Sequence, residues 1–261
     1  MSVMARVLIP IPSVDFDPTE TAVPWRQHTA AGPEERVATP DARPGRADDR
    51  MLSGHGLGPW KPLLIAHADA REAYALMIAS PAFQQPQRHD ALSVDSFDGL
   101  LLPGGHAPGM KAYLESRPLQ ALVAQAFERA MPVGAICHGV VLAARARRTD
   151  GRSVLHGLRT TALTRAMELS AWALTALWLG GYYRTYPMPV QDEVEAALAR
   201  RADFASGPLP LARDSEARPD RGFVLRDGHY LSARWPGDAH RFAIEFDALL
   251  RAACPAGTGL A

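Results

Sequence analysis

A cysteine stands where a predicted strand gives way to a predicted helix. The apolar run 131–136 is typical of a buried strand, and Cys137 follows it directly. Small residues at Ala135 and Gly139, two positions to either side, permit the strained turn of a nucleophile elbow. A helix amino terminus stabilises a thiolate, and its N–H groups can bind an oxyanion. The pattern predicts a reactive thiol; the alternative is an inert cysteine at the end of a core strand.

Two further features could assist this thiol. His138 follows Cys137 directly, and we interpret it as a general base or proton relay; the alternative is a histidine that caps or packs at the helix start. A second predicted buried strand, 97–103, runs into a Gly-Gly-His sequence ending at His106. Glycine lets the backbone approach a ligand closely, so the N–H of Gly105 is a candidate oxyanion donor. By itself, a Gly-Gly pair after a strand more often marks only a turn.

A carboxyl group follows the first predicted strand. Asp17-Pro-Thr-Glu20 has the pattern of a helix cap, with the helix beginning near Pro18 and Glu20 as the capping-box partner. The functional alternative places Glu20 at the same sheet edge as Cys137. A carboxyl beside a thiolate has its pKa raised by the like charge, so Glu20 could carry a proton.

Composition excludes several classes of protein. The 261 residues include 28 basic and 28 acidic side chains, so no net charge draws the chain to nucleic acid or an anionic membrane. Two cysteines form no disulfide framework, which favours a reducing, cytoplasmic compartment. The most apolar stretch, 169–183, is shorter than the roughly 20 residues of a membrane span, and its spacing predicts a buried helix.

Strands that alternate with helices predict an α/β fold with a mainly parallel sheet, in which ligands bind at the carboxyl ends of the strands. The segment 12–62 is rich in Pro, Gly, Asp and Arg, so we expect an irregular insertion that acts as a lid or a dimer contact. Further predictions are a strand at 159–163, a helix at 165–179 and a hairpin at 223–233. We expect one domain over 1–261.

Together these segments resemble the DJ-1/ThiJ/PfpI superfamily, whose fold is that of the class I glutamine amidotransferases. The resemblance runs from Val7 to about residue 250 and rests on three blocks: 97–106, 135–139 and 232–237. The position of Glu20 is most similar to the branch of glyoxalase III-type heat-shock chaperones. The resemblance implies a flavodoxin-like three-layer sandwich, helices on both faces of the sheet, and a homodimer.

The same resemblance implies roles for the candidate residues. Cys137 would be the nucleophile, His138 its partner and Glu20 the carboxyl that hydrogen-bonds the thiol, while the N–H groups of Gly105 and His138 would form the oxyanion hole. That branch also has an aspartate that orients the histidine. The corresponding stretch here has no carboxylate, and Glu168 is the nearest substitute.

Three functions are therefore expected in order. The first is a glyoxalase III-like enzyme that acts on small reactive aldehydes through the thiolate of Cys137. The second is a cysteine peptidase or amidase acting on peptide or amide bonds with the same thiol. The third is a non-catalytic holdase chaperone or redox sensor. No cofactor, metal, nucleic acid or membrane partner is expected.

Overall fold

A computed structural model describes residues 5–254. Its centre is a seven-stranded sheet with the order β5-β3-β1-β6-β7-β9-β8, and β2 and β4 form a separate pair. The strands are β1 (Arg6–Pro10), β2 (Val14–Phe16), β3 (Glu34–Thr39), β4 (Arg46–Ala47), β5 (Gln87–Arg88), β6 (Gly99–Leu102), β7 (Val133–Ile136), β8 (Val224–Asp227) and β9 (Tyr230–Ala233). The helices are α1 (Pro18–Ala31), α2 (Asp49–Ser53), α3 (Lys61–Leu64), α4 (Ala68–Ala79), α5 (Pro81–Gln84), α6 (Lys111–Leu114), α7 (Arg117–Glu128), α8 (Gly139–Arg145), α9 (Arg165–Leu179), α10 (Val190–Ala197) and α11 (Ala239–Ala253).

Every neighbouring pair in the central sheet is parallel except β8 and β9, which form the predicted hairpin. Strands β6 and β7 are buried along their whole length. Such continuous apolar strands arise when helices cover both faces of a parallel sheet. The predicted α/β fold with a mainly parallel sheet is confirmed. No helix in the described part of the chain is long and apolar enough to span a bilayer.

The register of β7 and β9 shows how helices cover both faces. Gly134 lies against α11 so closely that a Cβ there would sit 2.9 Å from the ring of Phe246. Its neighbour Val133 pairs with Tyr230, whose ring contacts that of Phe127 on α7. Because successive strand residues point to opposite faces, α11 and α7 pack on opposite sides of the sheet.

The prediction of an irregular insertion over 12–62 is wrong for its first half, which contains helix α1 and the central strand β3. Prolines misled the prediction because two of them fall where regular structure tolerates them. Pro18 occupies the first position of α1, where its missing N–H costs no hydrogen bond, and Pro33 lies between α1 and β3. The capping interpretation is correct in part: Asp17 accepts hydrogen bonds from the N–H groups of Thr19 and Glu20.

The predicted strand at 159–163 is also wrong, since only an isolated bridge from Thr160 to Phe204 forms there. The far edge of β9 is already paired with the antiparallel β8, so the segment finds no free ladder. It instead packs beside the sheet, where the N–H of Thr161 donates to the hydroxyl of Ser232.

Helix α9 forms where the sequence predicts it, but its predicted burial is wrong. Among its residues only Glu168 and Thr175 are buried, and Leu177 is 95% exposed. The helix contacts α10 and the segment 58–60 rather than the central sheet. Its apolar side chains therefore face a surface cavity and solvent.

A buried polar pair joins α1 to α11. The ring Nδ1 of His28 hydrogen-bonds a carboxyl oxygen of Asp247, and Gln27 donates to the other oxygen at 3.2 Å. Both side chains of the pair are almost fully buried. Removing one partner would leave the other buried without a hydrogen bond.

We expect Asp247→Ala to lower the free energy of unfolding by about 3 kcal/mol, because it leaves His28 and Gln27 unpartnered in the core. Urea denaturation followed by circular dichroism measures the change. Glu245→Ala on the same helix is the control, since its pair with Arg241 is long, at 3.9 Å, and solvent-exposed. Equal effects of the two substitutions would contradict the prediction.

Candidate active site

Cys137 lies in a strained turn between β7 and α8. Its φ angle is +57°, a value that residues other than glycine rarely adopt. The elbow predicted from the small flanking residues is therefore present. The side chain is fully buried, and its Sγ lies 3.6 Å from Nδ1 of His138.

Glu20 reaches the thiol from the first turn of α1. Its Oε2 accepts a hydrogen bond of 2.9 Å from the N–H of Gly104, and the carboxyl lies in hydrogen-bonding contact with Cys137. The capping-box role is wrong, because the N–H of Asp17 donates to the carbonyl of Gly104 and not to Glu20. The predicted meeting of Glu20 and Cys137 is confirmed as geometry.

Burial makes the carboxyl and the thiol a coupled pair. Burial raises the pKa of Glu20 well above its ordinary value, and the charge of Asp17 raises it further. Burial also raises the pKa of the Cys137 thiol, as do the carboxylates of Glu20 and Asp17, whereas the N–H of His138 lowers it. A protonated Glu20 removes its share of this repulsion and can donate to a thiolate. The two groups then hold one proton between them.

Two imidazoles lie beside this pair, and one of them is not among the predicted site residues. His106 packs edge-on against His138 with ring centroids 5.0 Å apart. Burial lowers the pKa of His106 to about 4. Burial, followed by the charges of His106 and Arg145, lowers the pKa of His138 well below its usual value. Both rings are neutral at pH 7. The position of His106 directly after Gly105 could have pointed to it.

The proposed orienting acid is wrong. Glu168 accepts a hydrogen bond of 2.8 Å from the N–H of Val190, which holds its carboxylate at the start of α10. Within residues 5–254, no carboxylate hydrogen-bonds the ring of His138, whose recorded partner is the sulfur of Cys137. His138 therefore lacks the support that makes a strong base in a triad.

Two backbone N–H groups lie near the thiol. Among the described residues, no oxygen accepts a hydrogen bond from the N–H of Gly105 or of His138. Gly104 must be glycine, because a Cβ there would lie 2.7 Å from both Oε2 of Glu20 and the nitrogen of His138. This close approach brings the 104–106 turn against the elbow.

A cavity of about 290 Å³ opens beside His106. Its walls are mostly apolar, with a few polar groups. The apolar lining residues are Met51, Leu63, Leu64, Leu163, Met167, Ala171, Leu174, Pro210, Trp235 and Pro236, and the polar ones are Asp17, His106, Ser170, Tyr183 and Arg213. Apolar cavities with a few convergent polar groups are the usual form of small-molecule sites.

The same centre offers a set of metal ligands that the sequence did not indicate. The ligand atoms of His106, Cys137 and His138 all lie within 4.8 Å of one another. A thiolate with two neutral imidazoles is a donor set that suits Zn²⁺.

A cysteine elbow at the carboxyl edge of a parallel sheet, with a buried carboxyl against its sulfur, defines a class of α/β proteins to which this chain can be compared. A family model described as ThiJ/PfpI family-like matches residues 11–197. That match covers more than half of the chain, and the chain belongs to this family.

Curated relatives are more distant. A deglycase of Thermococcus kodakarensis is 27% identical over 162 residues, which cover 62% of this chain and 68% of the deglycase. An uncharacterized protein of Schizosaccharomyces pombe is 27% identical over 121 residues, covering 46% of this chain and 44% of that protein. The chain thus spans less than half the length of the yeast relative.

Solved structures share the fold. The crystal structure of glyoxalase III from Candida albicans superposes with a TM-score of 0.69 at 16% identity, covering 94% of this chain and 97% of that one. The Rapid Encystment Protein of Francisella tularensis gives a TM-score of 0.68, also at 16% identity, covering 95% of this chain and 99% of that one. Likeness at this level of identity shows the fold alone.

Proposed function

We propose that this protein is a cysteine-dependent enzyme that acts on small reactive carbonyl compounds, as a glyoxalase III-like enzyme does. The observation that carries the proposal is the contact between the buried Glu20 carboxyl, whose pKa is raised, and the Cys137 thiol. An acid that keeps its proton beside a nucleophile can pass that proton to a substrate. The glyoxalase III fold relative and the deglycase relative support the same class of substrate.

The first step joins the thiol to the substrate. The thiolate of Cys137 attacks the aldehyde carbon of a 2-oxoaldehyde and forms a C–S bond, while the carbonyl electron pair moves to oxygen. The N–H groups of Gly105 and His138 stabilise this oxyanion. Glu20 supplies its proton, and the product is a hemithioacetal.

The remaining steps move protons and add water. The ionised Glu20 takes the proton from C1, and the electron pair forms an enediol. Return of that proton to C2 gives the thioester of a 2-hydroxy acid. Water then cleaves the thioester, which releases the 2-hydroxy acid and restores the thiolate. The sum is one 2-oxoaldehyde plus one water giving one 2-hydroxy acid, with no oxidant or reductant required.

We expect Glu20→Gln to lower kcat/KM for methylglyoxal by about 100-fold, because an amide cannot carry the proton between carbons. Lactate produced by the purified protein is the readout. Glu72→Gln, at an exposed position on α4, is the matched control and leaves the rate unchanged. Wild-type protein that forms no lactate, or a Glu20→Gln variant with full activity, would refute the proposed chemistry.

A peptidase is less favoured by this site. Cys137 and His138 are both almost completely buried, and the orienting acid of a triad is absent among residues 5–254. A polypeptide needs an open cleft and a base of adequate strength.

A holdase chaperone is the second candidate, favoured by exposed apolar side chains near the cavity mouth. Leu63, Leu177, Leu209 and Leu211 are each more than half exposed. Exposed apolar patches of this kind bind unfolded chains. Suppression of the thermal aggregation of a client enzyme that survives Cys137→Ala but is lost in a Leu209→Ser, Leu211→Ser double variant would support this role. Full suppression by the double variant would exclude it.

A further inference from the structure

We infer that the site selects 2-oxoaldehydes whose second substituent is a hydrocarbon chain or ring of about six carbons, in preference to methylglyoxal. The inference rests on the proposed function, whose simplest substrate is methylglyoxal. It concerns the cavity beside His106, which the chemistry at Cys137 does not itself require.

The first argument is the size of the cavity. At about 30 Å³ for each water-sized group, its volume of about 290 Å³ holds roughly nine such groups. The methyl group of methylglyoxal would leave most of that space unfilled. A longer hydrocarbon substituent would occupy it.

The second argument is the chemistry of the walls. Apolar side chains come from three parts of the chain: Met51 and Leu64 from the 49–64 region, Met167 and Leu174 from α9, and Trp235 from the turn after β9. Water against such walls makes few hydrogen bonds. Its displacement by an apolar group therefore increases affinity.

The third argument is that the cavity is preformed. The guanidinium of Arg213 donates to the carbonyl of Leu63 at 2.7 Å and to that of Ile65 at 3.0 Å. It also lies over the ring of Trp235, 5.7 Å from the centroid. These contacts fix one wall against another, so little ordering is needed when a substituent binds.

The fourth argument is proximity to the reacting atom. His106 lines the cavity, and its ligand nitrogen lies within 4.8 Å of the sulfur of Cys137. Its buried Nε2 has no hydrogen-bond partner among the described residues. This nitrogen can bond the second carbonyl oxygen of a 2-oxoaldehyde whose hydrocarbon part fills the cavity.

A substrate series tests the inference. With methyl, propyl, pentyl and phenyl glyoxals, we expect kcat/KM to rise about fourfold for each added methylene until the cavity is filled. Leu174→Asn should lower the value for pentylglyoxal about tenfold and leave that for methylglyoxal within about twofold. Leu177→Asn is the control, because this residue lies on the same helix but is 95% exposed. Equal kcat/KM values across the series, or equal effects of the two variants, would overturn the inference.

A second measurement separates this inference from the proposed function. In a Cys254→Ser background, which removes the exposed thiol, Cys137 is alkylated with N-methyl and N-hexyl iodoacetamide. We expect the hexyl reagent to react at least about tenfold faster at low concentration, and Leu174→Asn to remove the difference. A hexyl preference without turnover of any 2-oxoaldehyde would sustain the cavity assignment and refute the proposed function. Equal rates for the two reagents would refute the cavity assignment.

Discussion

Replacing Cys137 with serine is expected to lower kcat/KM for 2-oxoaldehydes by about four orders of magnitude or more. The serine hydroxyl ionises far less readily than a thiol, and the neighbouring base is weak. Burial lowers the pKa of His138, and within residues 5–254 no carboxylate orients its ring. Neither group nearby can therefore activate the hydroxyl as a triad would. Lactate formation from methylglyoxal, measured at several enzyme concentrations, gives the residual rate.

The control for this substitution is Cys254→Ser. Cys254 is exposed at the end of α11, so its loss should leave the rate unchanged. Circular dichroism should show that Cys137→Ser keeps its fold, because serine is smaller and remains within the same elbow. A Cys137→Ser variant with more than about a tenth of the wild-type rate would show that the thiol is not the nucleophile.

The sheet was predictable because its central strands are short apolar runs with clear ends. β1, β6 and β7 each precede a turn or a glycine pair, and burial on both faces removes any ambiguity about their type. The partner of an apolar segment was not predictable in the same way. The spacing of α9 fits a buried helix, but only the folded chain shows that its apolar side chains line a cavity instead of the sheet core.

The candidate site was predictable to the extent that it lies at strand ends. Cys137 and Glu20 both follow parallel strands, and the carboxyl ends of such strands meet at one edge. The error over Glu168 has a different origin, because its carboxylate is oriented by the N–H of Val190 on a distant segment. His106 was overlooked because a histidine after a glycine pair has no chemical signature until another imidazole packs on it.

Packing at the elbow leads to the second large effect. We expect Gly139→Ala to lower the free energy of unfolding by about 4 kcal/mol or more. A Cβ on Gly139 would lie 2.0 Å from the carbonyl oxygen of Leu102 and 2.8 Å from that of Pro103. Both atoms are backbone, and β6 is paired on both of its edges, so the strand cannot move aside. The first turn of α8 must instead lift away from the sheet.

Urea denaturation gives the free energy change, and the rate of Cys137 alkylation reports the geometry of the elbow. Gly181→Ala is the matched control, since a Cβ there meets nothing within 4 Å. We expect that substitution to change stability by less than about 0.5 kcal/mol. If Gly139→Ala matched the control in both measurements, the contact between α8 and the end of β6 would be looser than described. The elbow would then owe its shape to the turn at Cys137 alone, because tight packing would no longer hold it in place.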